Sequence, residues 1–123
     1  MNAVATAVLV ELAKDFISLV REIAPNWASA YYRFRSEGAR YGSNASYLAE
    51  SNVSIIGALR CGDFYERMNA RGVELLEDLG KSRGVFVIII DYEFNYDFKF
   101  EWDDLSRWEI AKLYGGTGLP SGI

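Results

Sequence analysis

The first 25 residues have a helical pattern. Apolar residues recur at three- and four-residue steps between Val8 and Ile23, and charged or small polar residues fall between them. That spacing places the apolar side chains on one face of an amphipathic helix. Pro25 has no amide proton and disfavours the helical conformation at Ala24, so we predict that the helix ends there.

From Trp27 the period changes to two. Apolar or aromatic side chains alternate with polar or basic ones as far as Arg35, which predicts a strand that ends by Gly38. The Ser-, Asn- and Tyr-rich stretch that follows gives weaker signals. We predict one strand at Ser46–Ala49 and another at Val53–Ile56, joined by a turn.

A second helix is predicted in the middle of the chain. Asp63 and Glu66 have the spacing of a capping box, and apolar residues then continue at helical spacing to about Gly80. Gly72 lies inside this helix and costs about 1 kcal/mol relative to alanine. The helix is therefore expected to depend on packing over its apolar face.

A β-hairpin is predicted after this helix. Val85–Ile90 is an unbroken apolar run, and Phe98, Phe100 and Trp102 then alternate with charged residues, with a turn near Asn95. A strand that is apolar at successive positions is buried on both faces. We therefore expect this strand near the middle of the sheet, with helices on at least one side.

A short third helix is predicted near the C-terminus, because Ser106 and Glu109 repeat the capping-box spacing and Gly115 and Gly116 follow Tyr114. The chain has 123 residues and is 50% hydrophobic, which suits one core. The predicted fold is a single α+β domain over residues 1–123. It has a mostly antiparallel β-sheet, an N-terminal helix, a central helix and a short C-terminal helix.

Cysteine and histidine usage narrows the chemistry. The lone cysteine, Cys61, cannot form a disulfide within the chain, and we interpret it as a structural thiol in a reducing compartment. The chain has no histidine, which excludes Ser-His-Asp and Cys-His catalysis and the commonest transition-metal sites. We expect no catalytic residues, no metal and no cofactor, and we interpret the protein as a binding protein rather than an enzyme.

The N-terminus and the hydropathy pattern bear on location. No Lys or Arg precedes the apolar run of the first ten residues, and charged residues soon interrupt it, so an export signal is not expected. Nothing approaches the roughly 18 apolar residues that a membrane span requires. We expect a cytoplasmic protein that binds no membrane.

Charge is distributed unevenly along the chain. Residues 1–61 carry a net charge of +1 and residues 62–123 carry −5, which gives −4 for the chain. A net negative charge repels a phosphate backbone, so the Tyr- and Arg-rich stretch between Tyr31 and Tyr47 is not expected to bind nucleic acid. An electrostatic partner of the second half should be basic.

The acidic residues are densest in the predicted hairpin. Six carboxylates and Lys99 give a net charge of −5 within residues 91–104. The six are Asp91, Glu93, Asp97, Glu101, Asp103 and Asp104. Three interpretations stay open: a solvated hairpin face, a recognition surface for a basic protein, and a carboxylate–metal nuclease site. In the nuclease interpretation, Asp91 and the Asp97-Phe98-Lys99 stretch would position a divalent ion.

Three short segments carry a resemblance to a known family. They are Ile23-Ala24-Pro25-Asn26-Trp27, the stretch from Ile55 to Arg60 that leads into Asp63-Phe64-Tyr65, and the stretch from Trp108 to Tyr114 after the acidic hairpin. With the order of predicted elements, they resemble the YezG-like immunity or antitoxin family of bacterial polymorphic toxin systems, including those of contact-dependent growth inhibition. The resemblance implies a protein that binds and neutralises one cognate toxin, often a nuclease, without catalytic residues of its own. The acidic hairpin is then the candidate toxin-binding surface, and the metal-dependent nuclease is the alternative.

Overall fold

Five strands form one antiparallel sheet, and two helices pack against one of its faces. The computed structural model describes residues 1–123. In chain order the elements are α1 (Ala3–Ile23), β1 (Trp27–Ser36), β2 (Tyr41–Ala49), β3 (Asn52–Ile55), α2 (Gly62–Asp78), β4 (Gly84–Asp91) and β5 (Tyr96–Glu101). The strands lie in the order β3-β2-β1-β4-β5, and every neighbouring pair is antiparallel. The predicted α+β class is confirmed.

Helix α1 follows its sequence pattern closely. The Asn2 side chain accepts a hydrogen bond from the Ala5 amide at 2.8 Å and so caps the first turn. The helix ends at Ile23, two residues before Pro25, as predicted. Neither α1 nor α2 is long and apolar enough to cross a membrane.

The middle of the sheet is occupied by β1 rather than by β4. The Val85–Ile90 strand was expected near the middle, and it is an interior strand next to β1, between β1 and β5. Both strands are covered on both faces, but only β4 is apolar on both. In β1 the second face carries Arg33, which is buried and donates a hydrogen bond to the Leu105 carbonyl. Because of this charged residue, the sequence of the central strand alternates like that of a half-exposed strand.

The helix-covered face is filled by aromatic rings. Phe16 of α1 lies 5.9 Å from Tyr32 of β1, centroid to centroid, and Phe34 lies 5.3 Å from Phe86 of β4. Gly72 of α2 admits the Phe34 ring, since a Cβ added there would lie 2.7 Å from it. The intrinsic cost of this glycine in a helix is therefore offset by close aromatic packing.

The start of α2 corrects the predicted capping box. Cys61 occupies the N-cap position and makes no side-chain capping bond, while Asp63 lies inside the first turn. An acidic side chain there still interacts favourably with the N-terminal end of the helix dipole. The pattern therefore predicted the helix correctly and the capping residue wrongly.

The opposite face of the sheet is covered by residues 103–123, here called the C-terminal segment. The helix predicted between Ser106 and Tyr114 is wrong, because the segment is irregular and contains only a 3-10 turn at Leu113–Gly115. Trp108 has a φ of 60°, which no α-helix accommodates, and its side chain packs on Val85 and Val87 of β4. Burial of this one ring against the sheet therefore prevails over the local capping signal.

The weaker strands are present with changed bounds. β2 begins at Tyr41, five residues before the predicted Ser46, and β3 ends at Ile55. Glu50 and Ser51 form the predicted turn with φ values of 52° and 67°. Four residues make β3 a short edge strand, whereas the other edge, β5, has six.

Candidate functional site

The six candidate carboxylates lie in two groups at opposite ends of β5. Asp91, Glu93 and Asp97 lie at or beside the β4–β5 turn. Glu101, Asp103 and Asp104 lie at the far end of the strand. Asp97 and Glu101 are four positions apart, which is roughly 13 Å along a strand. The acidic stretch of the sequence is therefore two surfaces rather than one.

Asp91 stabilises the turn. Its Oδ1 accepts hydrogen bonds from the Glu93 amide at 2.9 Å and the Asn95 amide at 3.1 Å, and its Oδ2 accepts one from the Asn95 side chain. The Asn95 side chain and these two amides lower the pKa of Asp91 from its usual value. This carboxylate is therefore part of the local structure of the hairpin.

Glu101 and Asp104 have a similar role at the far end. Glu101 accepts hydrogen bonds from the amides of Asp103 and Asp104 and forms a 2.8 Å ion pair with Arg107. Asp104 accepts hydrogen bonds from the amide and the hydroxyl of Ser106. Arg107 lowers the pKa of Glu101, and Ser106 lowers that of Asp104. These two carboxylates shape the corner that leads into the C-terminal segment.

The remaining three carboxylates face solvent. Glu93, Asp97 and Asp103 are exposed, and the side-chain bonds of the hairpin are made by the other three. A carboxylate that is not engaged within its own chain is available to a partner. Two of them, Glu93 and Asp97, lie at the turn.

Exposed aromatic side chains lie next to the two free carboxylates of the turn. Tyr92, Phe94 and Tyr96 are 61%, 48% and 48% exposed, although each carries a large apolar ring. Phe94 has a φ of 66°, and the Arg21 guanidinium of α1 lies 5.4 Å from its ring centroid. We call residues 92–97, Tyr92 to Asp97, the hairpin tip. Sequence analysis missed these aromatic residues as candidates, although three aromatic residues next to a predicted turn were a visible signal.

Asp91 and Asp97 share a shallow depression. Together with Ser29 and Asn95 they line a surface cavity of about 220 Å³. No group of three or more His, Cys, Asp or Glu side chains in the protein is placed to hold a metal ion. The nuclease alternative therefore rests on this pair and on its sequence spacing, while the oxygens of Asp91 already accept hydrogen bonds within the turn.

The Tyr- and Arg-rich stretch serves mainly the fold. Tyr32 and Phe34 are fully buried under the helices. Arg33 donates to the carbonyls of Leu105 and Arg107 at 2.7 and 2.9 Å, and burial lowers its pKa. Arg35 also donates to the Leu105 carbonyl. Tyr32, Arg33 and Phe34 are therefore engaged inside the protein, and Arg35 contacts the C-terminal segment, whereas Tyr41 is 55% exposed.

Comparison with known proteins leaves the family open. A scan against protein-family models and a search of curated proteins both found no match. The resemblance to the YezG-like family therefore stays a prediction.

Proposed function

We propose that this protein is an immunity protein, which binds a cognate toxin, a basic nuclease, through the hairpin tip and neutralises it in the cytoplasm. The observation that carries the proposal is the composition of the tip. Three exposed aromatic side chains alternate with two carboxylates that have no partner within the chain. The family resemblance supplies the class of partner.

The tip combines two properties of protein-binding surfaces. Tyrosine and phenylalanine supply large contact areas at low entropic cost, and such residues dominate the energy of many interfaces. Carboxylates at the rim attract a basic partner and raise the association rate. A surface of this kind is suited to a cationic cleft that normally binds a phosphate backbone.

Neutralisation follows from occupancy of that cleft. Carboxylates held among aromatic rings imitate the charge and the stacking surfaces of a nucleic acid, so the tip would exclude the substrate. The second acidic surface, at Asp103, would add long-range attraction. Buried pairs at the contact would slow dissociation.

The partner is identified by co-expression. The protein is produced together with the product of the immediately upstream gene, and a pull-down with a tagged copy tests for a complex. We expect a stable complex and protection of cells that express the toxin. Failure to bind this product or any neighbouring toxin would contradict the proposal.

The surface is tested with a variant at the tip and a matched control. Tyr92→Ala with Glu93→Lys removes one ring and reverses one charge, both outside β5. We expect a loss of affinity of about 100-fold or more, since interface aromatics and charge pairs cost roughly 1–3 kcal/mol each when removed. The control, Tyr114→Ala with Glu66→Lys, makes the same chemical changes at exposed positions elsewhere. Equal losses in the two variants would place the interface away from the tip.

The alternative is tested on the purified chain alone. We expect no cleavage of RNA, DNA or nucleotides, with or without added magnesium or manganese. Metal-dependent cleavage that is abolished by Asp91→Asn would favour the nuclease over the immunity protein. Metal-binding calorimetry on the same two proteins gives an independent readout.

A further inference from the structure

One side of β5 is open along its whole length. β5 is the edge strand of the sheet and pairs only with β4. The Asp91 amide donates to the Asn95 carbonyl at 3.0 Å, so the 91–95 pair is hydrogen-bonded. Hydrogen-bonded and non-hydrogen-bonded pairs alternate along an antiparallel ladder. The odd-numbered residues of β5 therefore bond to β4, while Tyr96, Phe98 and Phe100 direct their amides and carbonyls outward.

The same three residues and Trp102 carry a row of aromatic rings. Centroids lie 6.0 Å apart from Tyr96 to Phe98, 6.3 Å apart from Phe98 to Phe100 and 5.5 Å apart from Phe100 to Trp102. Tyr96 is exposed, and the other three are half-buried at the margin of the helix-covered core. An open edge with a continuous aromatic row differs from the short or interrupted edges that proteins use to prevent pairing.

We propose that β5 pairs with β5 of a second copy of this chain, antiparallel and centred on Phe98, to give a dimer with a continuous ten-stranded sheet. This goes beyond the proposed function and does not depend on it, although Tyr96 and Asp97 of the hairpin tip would contact the second copy and leave Tyr92, Glu93 and Phe94 for a toxin. Phe98 would pair with Phe98 of the second copy, and Tyr96 with Phe100. About six backbone hydrogen bonds would close the outward-facing edge.

Charge selects this register over its neighbours. Centred on Phe98, each Asp97 lies opposite Lys99 of the second copy, in non-hydrogen-bonded pairs where side chains approach most closely. Centred on Lys99, the two lysines would face each other, and Asp97 would face Glu101. Centred on Asp97, the two aspartates would meet. Centred on Phe100, Lys99 would face Glu101, but Glu101 already forms an ion pair with Arg107 of its own chain. Within β5, only the register centred on Phe98 joins opposite charges that have no ion pair in the isolated chain and brings no like charges together.

The faces of the two sheets also match. Even-numbered residues pair with even-numbered ones, so the two-fold axis is perpendicular to the sheet, and both helix layers lie on the same side. The two aromatic rows then pack between those layers. The Asp97–Lys99 pairs lie on the side of the C-terminal segments. In an isolated chain the charge of Lys99 disfavours pairing at this edge. In the dimer, Lys99 pairs with Asp97 of the second copy.

The test measures the mass of the full chain by sedimentation equilibrium across about 1 µM to 1 mM, a range that covers weak to moderate association. We expect a monomer–dimer equilibrium for the wild type. Asp97→Lys and Lys99→Asp each place like charges opposite one another, so each alone should weaken association at least about tenfold. Mixing the two variants restores both pairs, so we expect a heterodimer. Far-UV circular dichroism confirms that each variant is folded.

A backbone variant separates strand pairing from side-chain contact. Tyr96→Pro removes an outward amide, which an edge strand tolerates, whereas Tyr96→Ala removes the ring and keeps the amide. We expect the proline variant to associate at least about tenfold more weakly than the alanine variant, because its ring also blocks the approaching strand. A monomeric wild type at about 1 mM, single charge variants that still dimerise, or a mixture that fails to associate would overturn the proposal.

Discussion

The two faces of the sheet are covered by different means. On one face, α1 and α2 contribute a continuous apolar layer around Phe16 and Met68. On the other face, the irregular C-terminal segment is held by side-chain donors of the sheet. Arg33 and Arg35 bond to the carbonyls of Leu105 and Arg107, and Asn44 bonds to the Ile110 carbonyl at 2.8 Å. The first face depends on hydrophobic packing, whereas the second combines a small apolar cluster at Trp108 with a few polar contacts between residues far apart in sequence.

The largest expected effect is on the helix-covered face. Phe16→Ala removes a fully buried ring that contacts Tyr32 and Phe64, so we expect a loss of about 3–5 kcal/mol in the free energy of unfolding. Urea denaturation measures it. A loss below about 1 kcal/mol would mean that this face does not depend on packing in the way described.

A smaller loss is expected on the second face. Arg33→Met keeps an apolar stem and removes both donors, leaving the Leu105 carbonyl with only Arg35 and the Arg107 carbonyl unpaired. We expect a loss of about 2–3 kcal/mol in the free energy of unfolding, and amide hydrogen exchange should increase first in the C-terminal segment. Arg35→Met is the control, because its only bond to the segment is longer, 3.2 Å, and should cost less. Equal losses in the two variants would argue against the role assigned to Arg33.

Gly72→Ala tests the close packing of α2 on the Phe34 ring of β1. Helix propensity alone favours alanine by about 1 kcal/mol, but the added Cβ would meet the Phe34 ring. We expect a net loss of about 1–2 kcal/mol in thermal unfolding. Gly62→Ala in the first turn of α2 meets no neighbouring atom within 4 Å and serves as the matched control. A stabilised Gly72→Ala protein would show that the ring can move away.

The smallest effect concerns the ion pairs that join the two helices. Arg67 and Arg71 bond to Asp15 at 2.6–3.0 Å and hold its pKa below the usual value despite partial burial. A lowered folded-state pKa means that the ionised carboxylate stabilises the fold above pH 4, and this contribution is lost as the pH falls through the folded-state pKa. We expect this ionised carboxylate to contribute about 1 kcal/mol to the free energy of unfolding. The contribution is measured as the decrease in melting temperature between pH 7 and pH 3, which Asp15→Asn should reduce. An unchanged difference in the Asp15→Asn protein would contradict this assignment.

The helix-covered face could largely be predicted from the sequence. The periodicity of α1, the alternation in β1 and the apolar run of β4 each reflect local burial, and all three elements are present. The second face could not be predicted, because Ser106 and Glu109 have a valid helix-start pattern whose outcome depends on contacts made by distant residues. Trp108 lies on Val85 and Val87, and the Arg107 carbonyl, which would accept an intrahelical bond, accepts one from Arg33 instead.

The roles of the individual acidic residues could not be predicted from the sequence either. Their density in the sequence predicted one surface, whereas the structure engages Asp91, Glu101 and Asp104 in turns and leaves Glu93, Asp97 and Asp103 free. Which carboxylate stabilises a turn depends on the backbone amides that the turn presents, and spacing along the chain does not specify them. The exposed rings of the tip do leave a signal in the sequence, since Tyr92, Phe94 and Tyr96 lie where polar turn residues are expected.

The arginines of β1 also lie beside the most aggregation-prone stretch of the chain. The run from Val85 to Ile90 has neither charge nor proline, and one of its faces is shielded by the C-terminal segment. Arg33 and Arg35 lie directly opposite Val87 and Val85 on that face. Whenever the segment detaches, two positive charges would therefore flank the exposed valines and oppose association with another sheet. In the folded protein the same guanidinium groups bind the segment that shields the run.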